Sequence, residues 1–375
     1  MFKLKKTTSS TKARLGTLTT DHGAIQTPIF MPVGTLGTVK AVKQDDLIEK
    51  VKAQIILGNT YHLYLRPGCD IIEGAGGLHS FISWDHPILT DSGGYQIFSL
   101  SDNRELTKKG AHFKSHLDGS EHTFTPESVV DIQRTLGSDI IMVLDECPPY
   151  PSTYEYAKES MELTHNWEKR GREAFLKTEP KYGHQQFQFG IVQGGTFPDL
   201  RKESSKYIVD LDFEGIAIGG LSVGEPTELM YEMTNLNTDF LPQNKPRYLM
   251  GVGTPANLLQ CIARGIDMFD CVLPTRNARN GQIFTKEGYI NIRNAKWKNH
   301  HQPLDPDFPS DLCQKYKMSY IHHLFRNSEL LGLELASLHN LTFYLRLMEE
   351  VRERIADDSF ANWYEEKAKV LDTKI

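Results

Sequence analysis

Short apolar runs recur along this chain, each closing on glycine or a polar residue and leading into a segment of helical character. There are eight, at residues 28–34, 54–59, 87–93, 139–145, 189–194, 215–220, 247–253 and 267–273. Unbroken apolar runs of this length suit strands buried on both faces of a parallel sheet. Helix starts fall between them. Thr125-Pro126 and Thr254-Pro255 each place a capping hydroxyl before a proline at the first helical position, and a Glu- and Lys-rich stretch from about 153 to 177 predicts a longer helix. Strands alternating with helices predict an α/β fold, a (β/α)8 barrel of TIM type, with residues 1–375 in one domain. The competing arrangement is an open, doubly wound sheet. The polar strand ends favour the barrel: Asn59, Asp91, Asp145, Gln193 and Asp270 close different runs, at the barrel face that carries active sites.

Composition narrows the class. No apolar run approaches the roughly 20 residues of a membrane span. The start, Met1-Phe2-Lys3-Leu4-Lys5-Lys6, leads into Thr and Ser rather than an apolar core, unlike a secretory leader. Five scattered cysteines suit reduced thiols in the cytoplasm. The net charge of −6 argues against general coating of nucleic acid and leaves room for a local basic patch.

Asp270 sits inside the apolar string Met268-Phe269-Asp270-Cys271-Val272-Leu273, where an ionisable group is costly unless used or paired. Asp91 opens Asp-Ser-Gly-Gly-Tyr, where Gly93 and Gly94 admit close backbone approach. Asp145 ends another apolar run. A single buried Asp is more often a cap or ion-pair partner; three on one barrel face point to chemistry. Two carboxylates flanking a bond to a sugar carbon are the usual kit for glycosidic cleavage, one attacking the anomeric carbon and the other handling the leaving group's proton. The residues alone do not choose the sugar.

The strings TDSGGYQ at 90–96, GGLSVGE at 219–225, YLMGVG at 248–253, FDCVLPTRNARNG at 269–281 and INIRNA at 290–295 resemble the queuine/archaeosine tRNA-ribosyltransferase family, in particular its bacterial tRNA-guanine transglycosylases. The resemblance runs from about residue 11 to 360. It implies exchange of guanine for prequeuosine-1 at the wobble position of GUN-anticodon tRNAs. In that reaction Asp270 would be the nucleophile and Asp91 the general acid/base. Base binding would fall to Asp91, Ser92, Gly93, Gly94, Tyr95, Asp145, Gln193, Gly220, Leu221, Glu225 and Met250, with Tyr95 and Met250 stacking on the base. Glu225 and the backbone near Leu221 would accept the aminomethyl group of the incoming base, in a pocket narrowed by Cys147 and Val223. RNA contacts would come from Gly251, Val252, Gly253, Thr254, Pro255, Ala256, Asn257, Thr275, Arg276, Asn277, Ala278 and Arg279. Residues 270–301 carry a net charge of +4 with Trp297 between two lysines, a pattern suited to an unpaired loop. A homodimer is implied, with Tyr316, Tyr320 and His323 at its contact.

The family's zinc-binding insertion corresponds to residues 283–345. Phe308 and Ser310 stand at two of its four ligand positions, and only Cys313 and His339 remain. A structural zinc site takes four protein ligands, so the expectation is no cofactor and no metal. Asp307, Asp311, His300 and His301 are the neighbours that could rebuild a site. Phe308, Leu312, Tyr316, Met318 and Tyr320 are expected to supply apolar packing instead. Two other functions share features with this sequence. A barrel glycoside or nucleoside hydrolase would share the carboxylates but leaves Arg276 and Arg279 unexplained. A non-catalytic tRNA-binding paralogue would be expected to lose Asp270.

Overall fold

The eight apolar runs become a ring of parallel strands. The computed structural model describes residues 1–100 and 104–375. In ring order the strands are Ile29–Met31 with Val33–Gly34, Ile56–Gly58, Ile88–Thr90, Ile140–Met142, Phe187–Val192, Gly215–Ile218, Arg247–Leu249 and Met268–Asp270. The first strand is broken at Pro32, which has no N–H to give to a ladder. Its first half pairs with the eighth strand, Met31 opposite Asp270, and its second half pairs with the second strand, Val33 opposite Leu57. The Pro32 carbonyl still accepts from Leu57 N at 2.9 Å, so the ring closes across the break. This is the (β/α)8 barrel that the sequence predicts.

The predicted helix starts are present. Thr125 caps Pro126–Leu136 in a reciprocal box with Ser128, and Thr254 caps Pro255–Ala263 by accepting from Asn257 N at 3.2 Å. The long helix is Tyr154–Lys177, capped by Thr153. Two small antiparallel sheets were not foreseen. One joins Phe2–Thr7, Arg14–Thr20 and Gly23–Thr27; the other joins Arg104–Leu106, Ala111–Lys114 and Glu121–Phe124.

After the eighth strand the chain builds a subdomain from the hairpin Gln282–Thr285/Gly288–Asn291 and the helices Asp311–Gln314 and Met318–Arg326. It has its own apolar core of Ile283, Ile290, Ile292, Leu312, Met318, Ile321 and Phe325. Leu312 and Met318 are buried there as expected, and Phe308 and Tyr316 pack at its margin. Tyr320 does not join it. Met318, Ile321 and Phe325 form the inward stripe of their helix, and Tyr320 lies off it, exposed. The 27-residue helix Leu330–Ala356 then runs from the subdomain core, through Leu335 and Ala336, into the barrel core, through Tyr344, Met348 and Val351.

Candidate active site

The C-terminal ends of the strands open into a cavity of about 540 Å³. Its lining includes Asp91, Ser92, Gly93, Gly94, Tyr95, Asp145, Cys147, Gly220, Leu221, Val223, Met250, Gly251, Asp270 and Arg276. Residues from seven of the eight strand ends meet here. A larger hollow of about 760 Å³ lies elsewhere, beside Lys12 and Arg264; its acidic residues Glu228 and Glu232 are exposed surface groups, so it offers no desolvated carboxylate pair.

Asp270 is the last residue of the eighth strand. Its Oδ1 accepts from the Tyr248 hydroxyl at 2.6 Å and from Gly251 N at 2.9 Å. Burial raises its pKa, and these two donors hold the rise back. A hydrogen bond to a charged group contributes about 1.5–3 kcal/mol, so the pair favours the ionised form of a desolvated carboxylate. Asp91 is held differently. Asn59 donates to Oδ2 at 2.5 Å, and the amides of Thr60 and Gly93 donate to Oδ1 at 3.0 and 3.2 Å. Burial and the nearby Asp270 charge nevertheless push it up to about 7, past the pull of those donors. Proton transfer at neutral pH is most efficient from a group that titrates there. Two neighbouring carboxylates thus sit in environments that set their acidities apart.

Asp145 is buried and raised to about 6, chiefly by burial; Gln193 Nε2 donates to its Oδ2 at 2.7 Å and Ser92 to its Oδ1 at 3.4 Å. Gln193 is buried behind the wall, and among the described residues its amide oxygen has no partner. Gly220 sits at φ +63°, and a Cβ there would run into that oxygen, so this turn requires glycine. Tyr95 is half exposed at the mouth, and Met250 lines the same cavity. Glu225 does not line it. Its carboxylate accepts from the amides of Ser222 and Val223, so it acts on the wall through the backbone.

The basic segment is only partly free. Arg276 is exposed and lines the cavity. Arg279 is partly buried, its pKa lowered by burial and by Arg276, and among the described residues its Nη1 has no partner. Asn277, Gly251, Thr254 and Asn257 keep some exposure, and Gly253 sits against Cys271. Val252, Pro255, Ala256, Thr275 and Ala278 are buried, so their side chains shape this face rather than touch a ligand. Trp297 is partly buried: its Nε1 donates to Asn291 O at 3.0 Å and its ring packs against the subdomain core. Sequence reasoning missed the part of Tyr248, whose only signal was its place two residues before Met250, on the same strand face.

At the zinc-insertion positions, His339 Nδ1 lies 2.8 Å from Ser310 Oγ and 3.5 Å from Cys313 Sγ, while its Nε2 meets Phe284 O at 2.7 Å. Burial takes His339 down to about 4 and the Cys313 thiol up to about 11. The Phe308 ring stands 5.1 Å from the imidazole. One thiol and one imidazole do not fit a four-ligand zinc site. Among the described residues, the group of three ligand-type side chains close enough to share an ion is His22, His79 and His184, away from this cluster; His22 and His79 both bond Asp139.

A (β/α)8 barrel that sets two desolvated carboxylates of unlike acidity over one cavity defines the machinery of glycosyl transfer. Comparison with known proteins takes this further. The family model described as "Queuine tRNA-ribosyltransferase" matches residues 9–373. A protein of that name from Caldanaerobacter subterraneus subsp. tengcongensis is 56% identical over 368 residues, 98% of this chain and 96% of the relative. One from Ruminiclostridium cellulolyticum is 54% identical over 365 residues, covering 97% and 96%. The chain belongs to the queuine tRNA-ribosyltransferase family, and is therefore a transferase of tRNA modification. None of its described helices is long and apolar enough to cross a membrane.

Proposed function

We propose that this chain is a tRNA-guanine transglycosylase of queuosine biosynthesis, exchanging guanine for prequeuosine-1 at the wobble position of GUN-anticodon tRNAs. The observation that carries the reading is the pairing of Asp270 and Asp91 in one cavity, beside the exposed Arg276. Asp270 attacks C1′ of the nucleotide; the bond to guanine breaks and Asp91 gives the leaving base its proton. The ribose is then held by Asp270. The ionised Asp91 takes a proton from the incoming base, whose ring nitrogen attacks C1′ and releases Asp270. Two displacements return the original configuration.

Asp145, held from behind by Gln193, and the 220–221 backbone fit a purine edge, since a base lacking matching groups would leave them unpaired and buried. Ser222 N–H is turned to Glu225, so the Leu221 carbonyl of the same peptide points the opposite way. That carbonyl is a suitable acceptor for the aminomethyl group of prequeuosine-1. A base in an anticodon loop reaches such a cavity at lower cost than one in a duplex, with Arg276 and Arg279 on the loop phosphates. The enzyme works without a metal, in the cytoplasm, as a homodimer. For the last, Tyr316, Tyr320 and His323 form a stacked column, with Tyr320 and His323 exposed.

The test is incorporation of labelled guanine into tRNA, with unlabelled prequeuosine-1 as competitor. Incorporation that the competitor suppresses supports the reading. Release of guanine without incorporation would instead favour a hydrolase.

A further inference from the structure

Arg201 is buried on the first turn of the helix Pro198–Asp210, and among the described residues no carboxylate pairs with it. Its guanidinium bonds only to main-chain carbonyls. Nε donates to Gly195 O at 2.6 Å, Nη1 to Val192 O at 3.1 Å and Gly219 O at 2.8 Å, and Nη2 to Gly220 O at 3.1 Å. These carbonyls belong to the ends of the fifth and sixth strands, so one side chain ties together two neighbouring walls of the cavity.

The C=O and N–H of a trans peptide point opposite ways. With Gly219 O held by Arg201, the Gly220 N–H faces away from it, toward the Cys147 thiol. With Gly220 O held, the Leu221 N–H also faces away, and among the described residues no acceptor takes it. Cys147 and Leu221 line the cavity, and Arg201 does not. A Gly-Gly pair has no side chain to choose between one peptide orientation and its reverse. The choice must come from outside the loop, and Arg201 is the group bonded to both carbonyls.

We propose that Arg201 is a positioning residue for the incoming and outgoing base: it fixes the Gly219–Gly220–Leu221 peptides so that donors rather than acceptors face the purine. This rests on the base-reading role proposed for that backbone. A lysine would not replace it. An ammonium is a single point of charge and does not present the rigid fork that spans two strand ends.

Two measurements test this. In the wild-type enzyme, residue-resolved hydrogen exchange should find the Leu221 amide open to exchange and slowed by guanine. An amide already protected without guanine would have the wrong orientation and would overturn the proposal, whether or not any variant folds. Guanine that binds but protects another segment removes the base-reading assignment itself, and the proposal with it. In Arg201→Lys, the KM for guanine should rise about tenfold or more, while the KM for tRNA and kcat at saturating base stay within about twofold. A KM for guanine that stays within about twofold of wild type would overturn the proposal. So would a parallel rise in both KM values, which marks a general scaffold residue.

Discussion

Tyr248 donates to Asp270 across adjacent strands, 2.6 Å from hydroxyl to carboxylate. Tyr248 pairs in register with Met268, so the two side chains sit one pleat apart on neighbouring strands. The phenol's own ionisation is pushed far up by burial and by Asp270, so it remains a donor throughout the working range. Tyr248→Phe removes one of two donors to Asp270, the proposed nucleophile. We expect kcat to fall roughly 10- to 100-fold, the equivalent of one charge-assisted bond of about 1.5–3 kcal/mol, with little change in the KM for tRNA. A kcat equal to wild type would show that Gly251 N alone suffices.

Asp270→Ala should abolish base exchange and the denaturation-resistant protein–RNA adduct while leaving folding and tRNA binding intact. Gel analysis of the enzyme–tRNA mixture after denaturation reads the adduct directly. Exchange surviving in this variant would place the nucleophile elsewhere.

In the proposed cycle Asp91 starts protonated, and its folded-state pKa is raised to about 7. The protonated fraction falls as pH climbs through that value, so kcat should decline on the alkaline side of about pH 7. Asp91→Asn should lower turnover about 10²–10⁴-fold and abolish that limb, with tRNA binding nearly unchanged. If the variant binds tRNA as poorly as it turns over, Asp91 is structural.

Arg276→Ala and Arg279→Ala should each raise the KM for tRNA and leave that for free base alone. Each lost phosphate contact reduces the slope of log affinity against log salt by roughly 0.7 on a single strand. Titrations at several salt concentrations decide it, and an unaltered slope moves the RNA footprint off this segment.

Elemental measurement on untagged protein should find well under one zinc per chain, and chelation should spare activity. The large barrel supplies folding energy that an isolated zinc module, worth about 10–16 kcal/mol of binding, does not have. Phe308→Cys with Ser310→Cys would put thiols back beside Cys313 and His339, and should create zinc uptake. Stoichiometric zinc in the unaltered protein, lost in Cys313→Ala, would sink the metal-free reading.

The strands were legible because each is an unbroken apolar run closing on glycine or a polar residue, as at Asp91 and Asp270. Helix starts were legible from local capping at Thr125 and Thr254. The two small sheets were not. Phe2–Thr7 alternates partly buried and exposed positions over only six residues, and its pairing with Arg14–Thr20 is a tertiary event. The residues behind the site were equally hidden. Nothing local marks Arg201 as a ligand of two strand ends, or Glu225 as a clamp on the backbone. Tyr320 shows the converse: composition suggested the core, and helix phase put it on the surface, while Trp297 ends half-buried.

The helix Leu330–Ala356 has a mechanical consequence. Arg352 holds Pro28 O at 2.8 Å, Tyr344 holds Gly253 O at 2.5 Å, and Asn340 holds Pro274 O and Gln282 O at 3.0 Å each. Those four carbonyls are the entrance to the first strand, the loop after the seventh, the turn just past Asp270 and the root of the subdomain hairpin. One rod therefore ties the seam of the barrel, the segment just past Asp270 and the arginine helix into one frame. In the proposed complex, this frame would register the ribose of a tRNA loop held by Arg276 against Asp270, leaving the base as the part that moves.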